Sequence, residues 1–488
     1  MSKYLYEVLK DYADKKIYPF HMPGHKGRPE VFETIFPGLD TTELDETDDL
    51  YTASGALLRS MERAALVFGA DHTFFLVNGS TAGMIAAILA CVREGDEILA
   101  ARNCHRSVYS GLIFSGAFPR YVYPEITPFG AAGGIDPADV EEALEKFPRV
   151  KAAVVTSPTY EGFTSDIKKI AEIAHAKNIP LIVDEAHGAH FKFHGDFPET
   201  ALSLGADIAV QSLHKTLPAL GQTALLHIRG DLVKKSDIGR TLPLVQTSSP
   251  SYLLMGLADM TIGQLESGGY DFDGYVGKLK TLRSELGGLK KFTLAGRELV
   301  NKYSIYDVDI SKLMIILNYN AADVRTAGEA GLIKKMCAAD AAGVYSKEET
   351  AGKIISDILA REYKIQVEMC ADDYLLGITG VADTAEGLRS FGAAFKEIDE
   401  KISTRRKNKL KKPACGYITE TVLSPRRAVN SKNFIKPIIN CVGEISAEFI
   451  VESPPGIPLL VPGERITQEI MEYAAENGLK DMIAVVNE

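Results

Sequence analysis

The stretch PLIVDEAHGAHFKFHGDFPETALSLGADIAVQSLHKT, residues 180–216, decides how this chain folds. It contains two short apolar runs, Pro180–Val183 and Ile208–Val210, and a polar cluster ends each of them. Asp184-Glu185-Ala186-His187 follows the first run, and Gln211-Ser212-Leu213-His214-Lys215 follows the second. The same pattern recurs on the N-terminal side. Thr73–Val77 leads into Asn78-Gly79-Ser80-Thr81 and then an apolar helical stretch, Ala82–Val92. Glu97–Ala101 leads into Asn103-Cys104-His105, and Arg120–Tyr123 reads as a further strand. Val150–Thr156 leads into Ser157-Pro158-Thr159-Tyr160, with a helical pattern over Ile167–Lys177. Short β runs separated by helices predict an α/β fold with a mostly parallel central sheet covered on both faces. Ligands bind at the carboxyl ends of the strands in such sheets, so five polar segments at five predicted strand ends point to one site.

Composition narrows the class. The chain has 488 residues, 46% hydrophobic and 24% charged, which is ordinary for a soluble globular protein. At roughly 150 residues per domain, two to four domains are expected. A net charge of -11 disfavours a nucleic-acid partner and weakly favours cationic small molecules. The six cysteines include no CxxC pair, so a disulfide framework is not expected, and Cys91 reads as core packing. No signal peptide and no run of about 18 apolar residues is visible, so no membrane partner is expected and a cytoplasmic location is the default. Beyond about residue 290 the pattern becomes a smaller α+β region with strands at Met314–Leu317 and Tyr374–Ile378. The basic run Lys401–Lys412 reads as a solvated helix end or linker rather than a nucleic-acid patch.

Chemistry is carried by residues at the strand ends. Lys215, just beyond a buried strand, sits where desolvation lowers an amine's pKa, the state needed for Schiff-base formation. Taken alone it reads as a solvated surface lysine, and its neighbours reverse that reading. Asp184 ends an apolar run, so its carboxylate needs a cationic or hydrogen-bonding partner. A protonated pyridine nitrogen fits this need, and a helix N-cap role is the alternative. Gly79-Ser80-Thr81, between a strand and a helix, offers backbone N–H groups and two hydroxyls to a phosphate, although capping alone also explains the hydroxyls. Ser212 and His214 add donors, and His105 is placed to cover a ring and handle a proton. Together these residues point to pyridoxal 5′-phosphate (PLP).

Two rival readings are weaker. Asp184, His187, His190 and His194 contain metal-ligand types, but their spacing matches no common zinc signature and leaves Lys215 unexplained, so no metal is expected. The letters DEAH at 184–187 also spell a helicase box, but the chain has no G-x-x-x-x-G-K-[ST] phosphate loop.

The motifs FHMPGHKG (20–27), TTELDETDDL (41–50), VNGSTAG (77–83), RNCHRS (102–107), SPTYEG (157–162), VDEAHGAH (183–190), QSLHKT (211–216) and SPPGIPLLVPGE (453–464) are spread over most of the chain's length. Together they resemble the short form of the ornithine/lysine/arginine decarboxylases, of the aspartate-aminotransferase fold type (fold type I). The resemblance implies Lys215, Asp184 and His105 as catalytic residues. Lys215 holds PLP as a Schiff base, His105 stacks on the pyridine ring and Asp184 pairs with its nitrogen. Ala186 packs beneath the ring, and His187 lies in the same cofactor site. Gly79, Ser80, Thr81, Ser212 and His214 hold the phosphate. Glu464 sits near the substrate's cationic end, and His21-Met22-Pro23-Gly24-His25-Lys26 lies near a dimer interface.

The implied organisation is an N-terminal interface segment (1–50), a large PLP-binding domain (51–290), a small α+β domain (291–400) and a C-terminal domain (401–488). A homodimer or higher homo-oligomer is expected, without the receiver-like domain of larger members. The implied reaction is α-decarboxylation of a basic amino acid, arginine first and lysine or ornithine next. Another PLP-dependent lyase or aminotransferase, or a non-enzymatic PLP-binding scaffold, stands as the alternative.

Overall fold

The computed structural model describes residues 15–21, 23–26, 28, 41–318, 350–402, 413–452 and 456–487. At its centre is a seven-stranded sheet of β1 (His72–Leu76), β2 (Glu97–Ala101), β3 (Phe118–Val122), β4 (Val150–Thr156), β5 (Leu181–Asp184), β6 (Ile208–Ser212) and β7 (Ala224–Ile228). Across the sheet they run β1-β7-β6-β5-β4-β2-β3. Only the reversed β7 makes antiparallel pairs, one with β1 and one with β6. Strands β2, β6 and β7 are buried along their whole length, as expected where helices cover both faces. After β2 the chain winds outward to β3, then returns to β4 on the other side of β2. Such a reversal opens a crevice at the carboxyl ends of the flanking strands.

Pairing moves several predicted boundaries. β3 begins at Phe118 because its register sets Phe118 against Glu97. β5 extends to Asp184, which pairs with Thr156 on one side and Val210 on the other. The helix after β1 spans Gly79–Cys91, three residues earlier than its apolar pattern suggests, so Gly79-Ser80-Thr81 is its first turn. The helix at Ile167 ends at His175 because the chain turns through Asn178 at φ 56°. β7 was not anticipated from the sequence. Its run contains His227, which is buried because its Nδ1 lies 2.8 Å from Thr73 Oγ1 on β1. Cys91 is partly buried at the edge of the core rather than inside it.

A second sheet carries Phe292–Leu294, Lys312–Leu317, Tyr374–Ile378 and Met369–Cys370, in that order and all antiparallel. The short strand Tyr18–Phe20 pairs in parallel with Ile365–Val367, tying the N-terminal segment to this part of the chain. A further apolar cluster gathers Ile438, Leu459, Leu460, Ile470, Ile483 and Val485 near the C-terminus. Several sequence readings lie outside the described residues: the N-terminal stretch 1–14, Met22 and Gly27 of the first motif, Cys337, most of the basic run (403–412) and 453–455.

The C-terminal segment is latched to the end of β2 by Arg102. Its guanidinium donates to Pro458 O at 2.7 Å, Leu459 O at 3.1 Å and Glu464 Oε2 at 3.1 Å. Glu464 also accepts from Val461 N at 2.8 Å and Thr419 Oγ1 at 2.7 Å. Both side chains are 0% exposed, so neither charge has water as a substitute partner. Removing one member of such a pair leaves a buried charge unmatched, which typically costs about 3–5 kcal/mol. Glu464→Gln is therefore expected to lower the urea midpoint strongly; an unchanged midpoint would contradict the latch.

Candidate active site

A cavity of about 360 Å³ opens at the carboxyl ends of β1, β2, β4, β5 and β6. Each strand delivers part of its wall. The turn after β1 contributes Gly79, Ser80 and Thr81, and the end of β2 contributes Asn103 and His105. β4 contributes Thr156, Pro158, Tyr160 and Glu161. β5 and β6 contribute Asp184, Ala186, His187, Ser212, His214 and Lys215. Ten of the eleven site residues singled out from the sequence thus share one cavity.

Glu464 is the exception. It is not among the cavity-lining residues, and Arg102, Val461 N and Thr419 use its carboxylate in the latch. In this chain its carboxylate is engaged in the latch rather than in the cavity wall. Its motif ends in a loop that packs on β2, a contact invisible in one-dimensional spacing. The other metal-type residues diverge as well. His190 Nε2 lies 3.2 Å from Asp309 Oδ1, and His194 Nε2 lies 3.2 Å from Asp273 Oδ1.

Burial controls the electrostatics of the cavity. Lys215 Nζ lies 3.0 Å from His187 Nε2, and burial lowers its pKa while Asp184 and Glu368 pull it back up. Asp184 is 5% exposed and accepts from Ala186 N at 3.2 Å. It makes no ion pair within 4.0 Å with any described residue. His105 Nδ1 accepts from Ser107 N at 3.2 Å, capping the helix Arg106–Ser115, so the proton of the neutral ring sits on Nε2. Burial also lowers the pKa of His105, opposed by Asp184. His214 donates its Nδ1–H to Thr223 O at 3.0 Å. Ser212 Oγ donates to Ser80 Oγ at 3.0 Å, joining the hydroxyls of two strand ends.

The cavity fits PLP by its own chemistry. A buried carboxylate without a cationic partner among the described residues suits a protonated ring nitrogen. An amine pushed toward its neutral form suits imine chemistry, and hydroxyls at a helix N-terminus suit a phosphate. Asn103 and Thr156 line the same space and add polar side chains to its wall.

The sequence reading missed several residues. Ala132 and Ile457 reach the cavity from distant segments. Gly24, named from the sequence only within the motif near a dimer interface, packs against the lysine loop: its N–H donates to His214 O at 2.7 Å, and a Cβ there would come within 2.6 Å of Leu217 O. Lys312, only 2% exposed, reaches His187 from the second sheet. Its one sequence signal was a lysine at the head of the apolar run KLMIIL.

Comparison with known proteins places this architecture. The fold is that of fold-type-I PLP enzymes: it matches the Francisella novicida lysine decarboxylase at TM-score 0.72 and 18% identity, covering 99% of this chain and 83% of that one. The same fold carries PLP in SPT, matched at TM-score 0.54. The chain belongs to the Orn/Lys/Arg decarboxylase family, whose major domain matches residues 4–386 and whose C-terminal domain matches residues 409–477. It is 33% identical to an arginine decarboxylase of Halalkalibacterium halodurans, over 94% of this chain and 90% of that protein. It is 31% identical to an arginine decarboxylase of Bacillus subtilis, over 97% and 93%.

Beside Asp184, Glu185 turns away from the cavity, accepting from Ala201 N and Gln211 Nε2 at 2.7 Å each. Burial pushes its carboxyl up to about 8 from an ordinary 4.5. A raised folded-state pKa gives stability that is complete below the ordinary value and lost as pH rises through the folded value. The melting temperature of Glu185→Gln should therefore gain on that of the parent between about pH 5 and about pH 9; parallel curves would refute the assignment.

Proposed function

We propose that this chain is a PLP-dependent α-decarboxylase of a basic amino acid, with arginine the first substrate and lysine or ornithine next. One observation carries the reading: the Lys215 amine, the Asp184 carboxylate and the Gly79-Ser80-Thr81 helix start share a single cavity. When bound, PLP supplies an aldehyde that condenses with amines and a protonated ring that accepts the electron pair left when Cα loses CO2.

The chain's own residues do the rest. Asp184 holds the ring nitrogen's proton, its negative charge favouring the cationic heterocycle. Ser80, Thr81, Ser212 and His214 grip the phosphate with the Gly79 turn, aided by the helix dipole. Ala186 leaves room beneath the ring, and His105 covers its other face with a proton on Nε2. Lys215 Nζ, whose pKa burial lowers, would be the amine that holds the cofactor covalently.

The cationic substrate class has support in the walls. Ala132, Glu161 and Ile457 also border an adjoining recess of about 190 Å³ that carries Asp372, Asp373 and Glu452. Acidic walls attract a basic side chain, and a guanidinium favours paired carboxylate oxygens. The arginine decarboxylases at 33% and 31% identity support arginine over its shorter relatives.

The enzyme loaded with PLP and given arginine, lysine or ornithine should release CO2 and the corresponding amine, fastest from arginine as agmatine. One methylene in such a pocket is worth about 1–3 kcal/mol, so a preference of roughly 10–200-fold between lysine and ornithine is the expected scale. A keto acid without CO2 would redirect the assignment to transamination. Lys215→Ala should lose both turnover and the visible Schiff-base absorbance; retained turnover would overturn the lysine's role.

A further inference from the structure

The turn that follows β4 sends two side chains to different partners. Gly162 N donates to Thr159 O at 3.0 Å, and Thr159 N donates to Phe163 O at 2.8 Å. Tyr160 and Glu161 thus occupy the tip of a four-residue turn. Gly162 closes it at φ +95°, where a Cβ would come within 2.5 Å of Lys312 Cγ. Tyr160 donates its hydroxyl to Glu368. Glu161 instead accepts the hydroxyl of Tyr374, on the second sheet, at 2.8 Å.

The Glu161 carboxylate stands at a junction. Among the described residues, only Ala132, Glu161 and Ile457 border both the cofactor cavity and the acidic recess beside it. Two apolar side chains and one carboxylate therefore make the shared wall. Glu161 is 6% exposed, whereas Asp372, Asp373 and Glu452, the other acids of the recess, are only partly buried. No cationic side chain among the described residues acts on Glu161. Burial raises its pKa, and the Tyr374 hydroxyl is the strongest group holding it down. Hydroxyl donors only partly offset the desolvation of a carboxylate, and a cation beside it supplies the rest. An ionised carboxylate has about four lone-pair positions, so the bond from Tyr374 leaves room for a guanidinium or an ammonium.

We propose that Glu161 is the specificity-determining residue of this enzyme. It receives the cationic end of the substrate, while Ala132 and Ile457 pack against the methylene chain that leads there. The assignment rests on the decarboxylase reading, in which Asp184 is committed to the cofactor ring. Asp184 and Glu161 are the two carboxylates among the cavity-lining residues, so Glu161 is the one left for the substrate side chain.

The test compares agmatine, which carries arginine's guanidinium, with N-carbamoylputrescine, its uncharged urea counterpart. Each is titrated calorimetrically into the full-length protein loaded with PLP. The parent should bind agmatine the more tightly. Glu161→Gln, a change that conserves size, should weaken agmatine about 30-fold or more and leave the urea unchanged. kcat/KM for arginine should fall in step. The visible absorbance of the Schiff base at Lys215 should persist in the variant, which reports an intact cavity. Glu161→Asp keeps the charge, and so tests the same point if the neutral variant does not fold. It should weaken agmatine by a smaller factor and again spare the urea. Equal losses for the two ligands, or none for either, would overturn the assignment. If arginine, lysine and ornithine yield no CO2 while the variants still separate the two ligands, the decarboxylase reading fails and the cation subsite stands. If CO2 is released but the variants treat both ligands alike, the subsite fails alone.

Discussion

The rest of the site depends on removing an amine and a carboxylate from water into the same cavity. Burial penalises the charged form of the amine, and a buried carboxylate needs a hydrogen-bonding or cationic partner. Lys215 is driven toward the neutral amine. Asp184 is buried at the end of β5, hydrogen-bonded to Ala186 N and without an ion-pair partner among the described residues. Such a pair is poorly matched internally and well matched to a ligand that brings an aldehyde and a cationic nitrogen. The parallel sheet makes the arrangement possible. β5 and β6 are neighbours, so their carboxyl ends deliver Asp184 and Lys215 to one space.

Around this pair, other buried groups fix orientation through donor and acceptor roles. His105 accepts a helix N–H, His214 gives its Nδ1 proton to a carbonyl, and His187 stands between two lysines. For His105 and His214 the contact assigns one ring nitrogen and thereby defines the role of the other. The Arg102–Glu464 latch serves the same site from outside. It fixes the C-terminal loop to the end of β2, immediately before Asn103 and His105, so the chain's last segment helps form the cavity through Ile457.

Much of this was legible in the primary structure. The strand-end positions of Asp184, Lys215, His105 and the Gly79 turn follow from local alternation of apolar and polar residues, which reports burial directly. The boundaries that moved, at Phe118, at Asp184 and at the Gly79 helix start, are set by pairing partners across the sheet. The reversed β7 was missed because a buried histidine interrupts its run, and its hydrogen bond to Thr73 becomes visible only once β1 lies beside it. The contact of Glu464 with Arg102 was not legible because the two are 362 residues apart.

The amino-acid order alone determined the α/β class, the strand-end positions of Lys215 and Asp184, and the family, because these depend on burial patterns and motifs local in the chain. The tertiary structure decided which buried polar groups meet: Glu464 with Arg102, and Lys312 with His187 across 125 residues. Electrostatic partnership depends on distance and solvent exclusion in three dimensions, and neither is encoded in the spacing of residues along the chain.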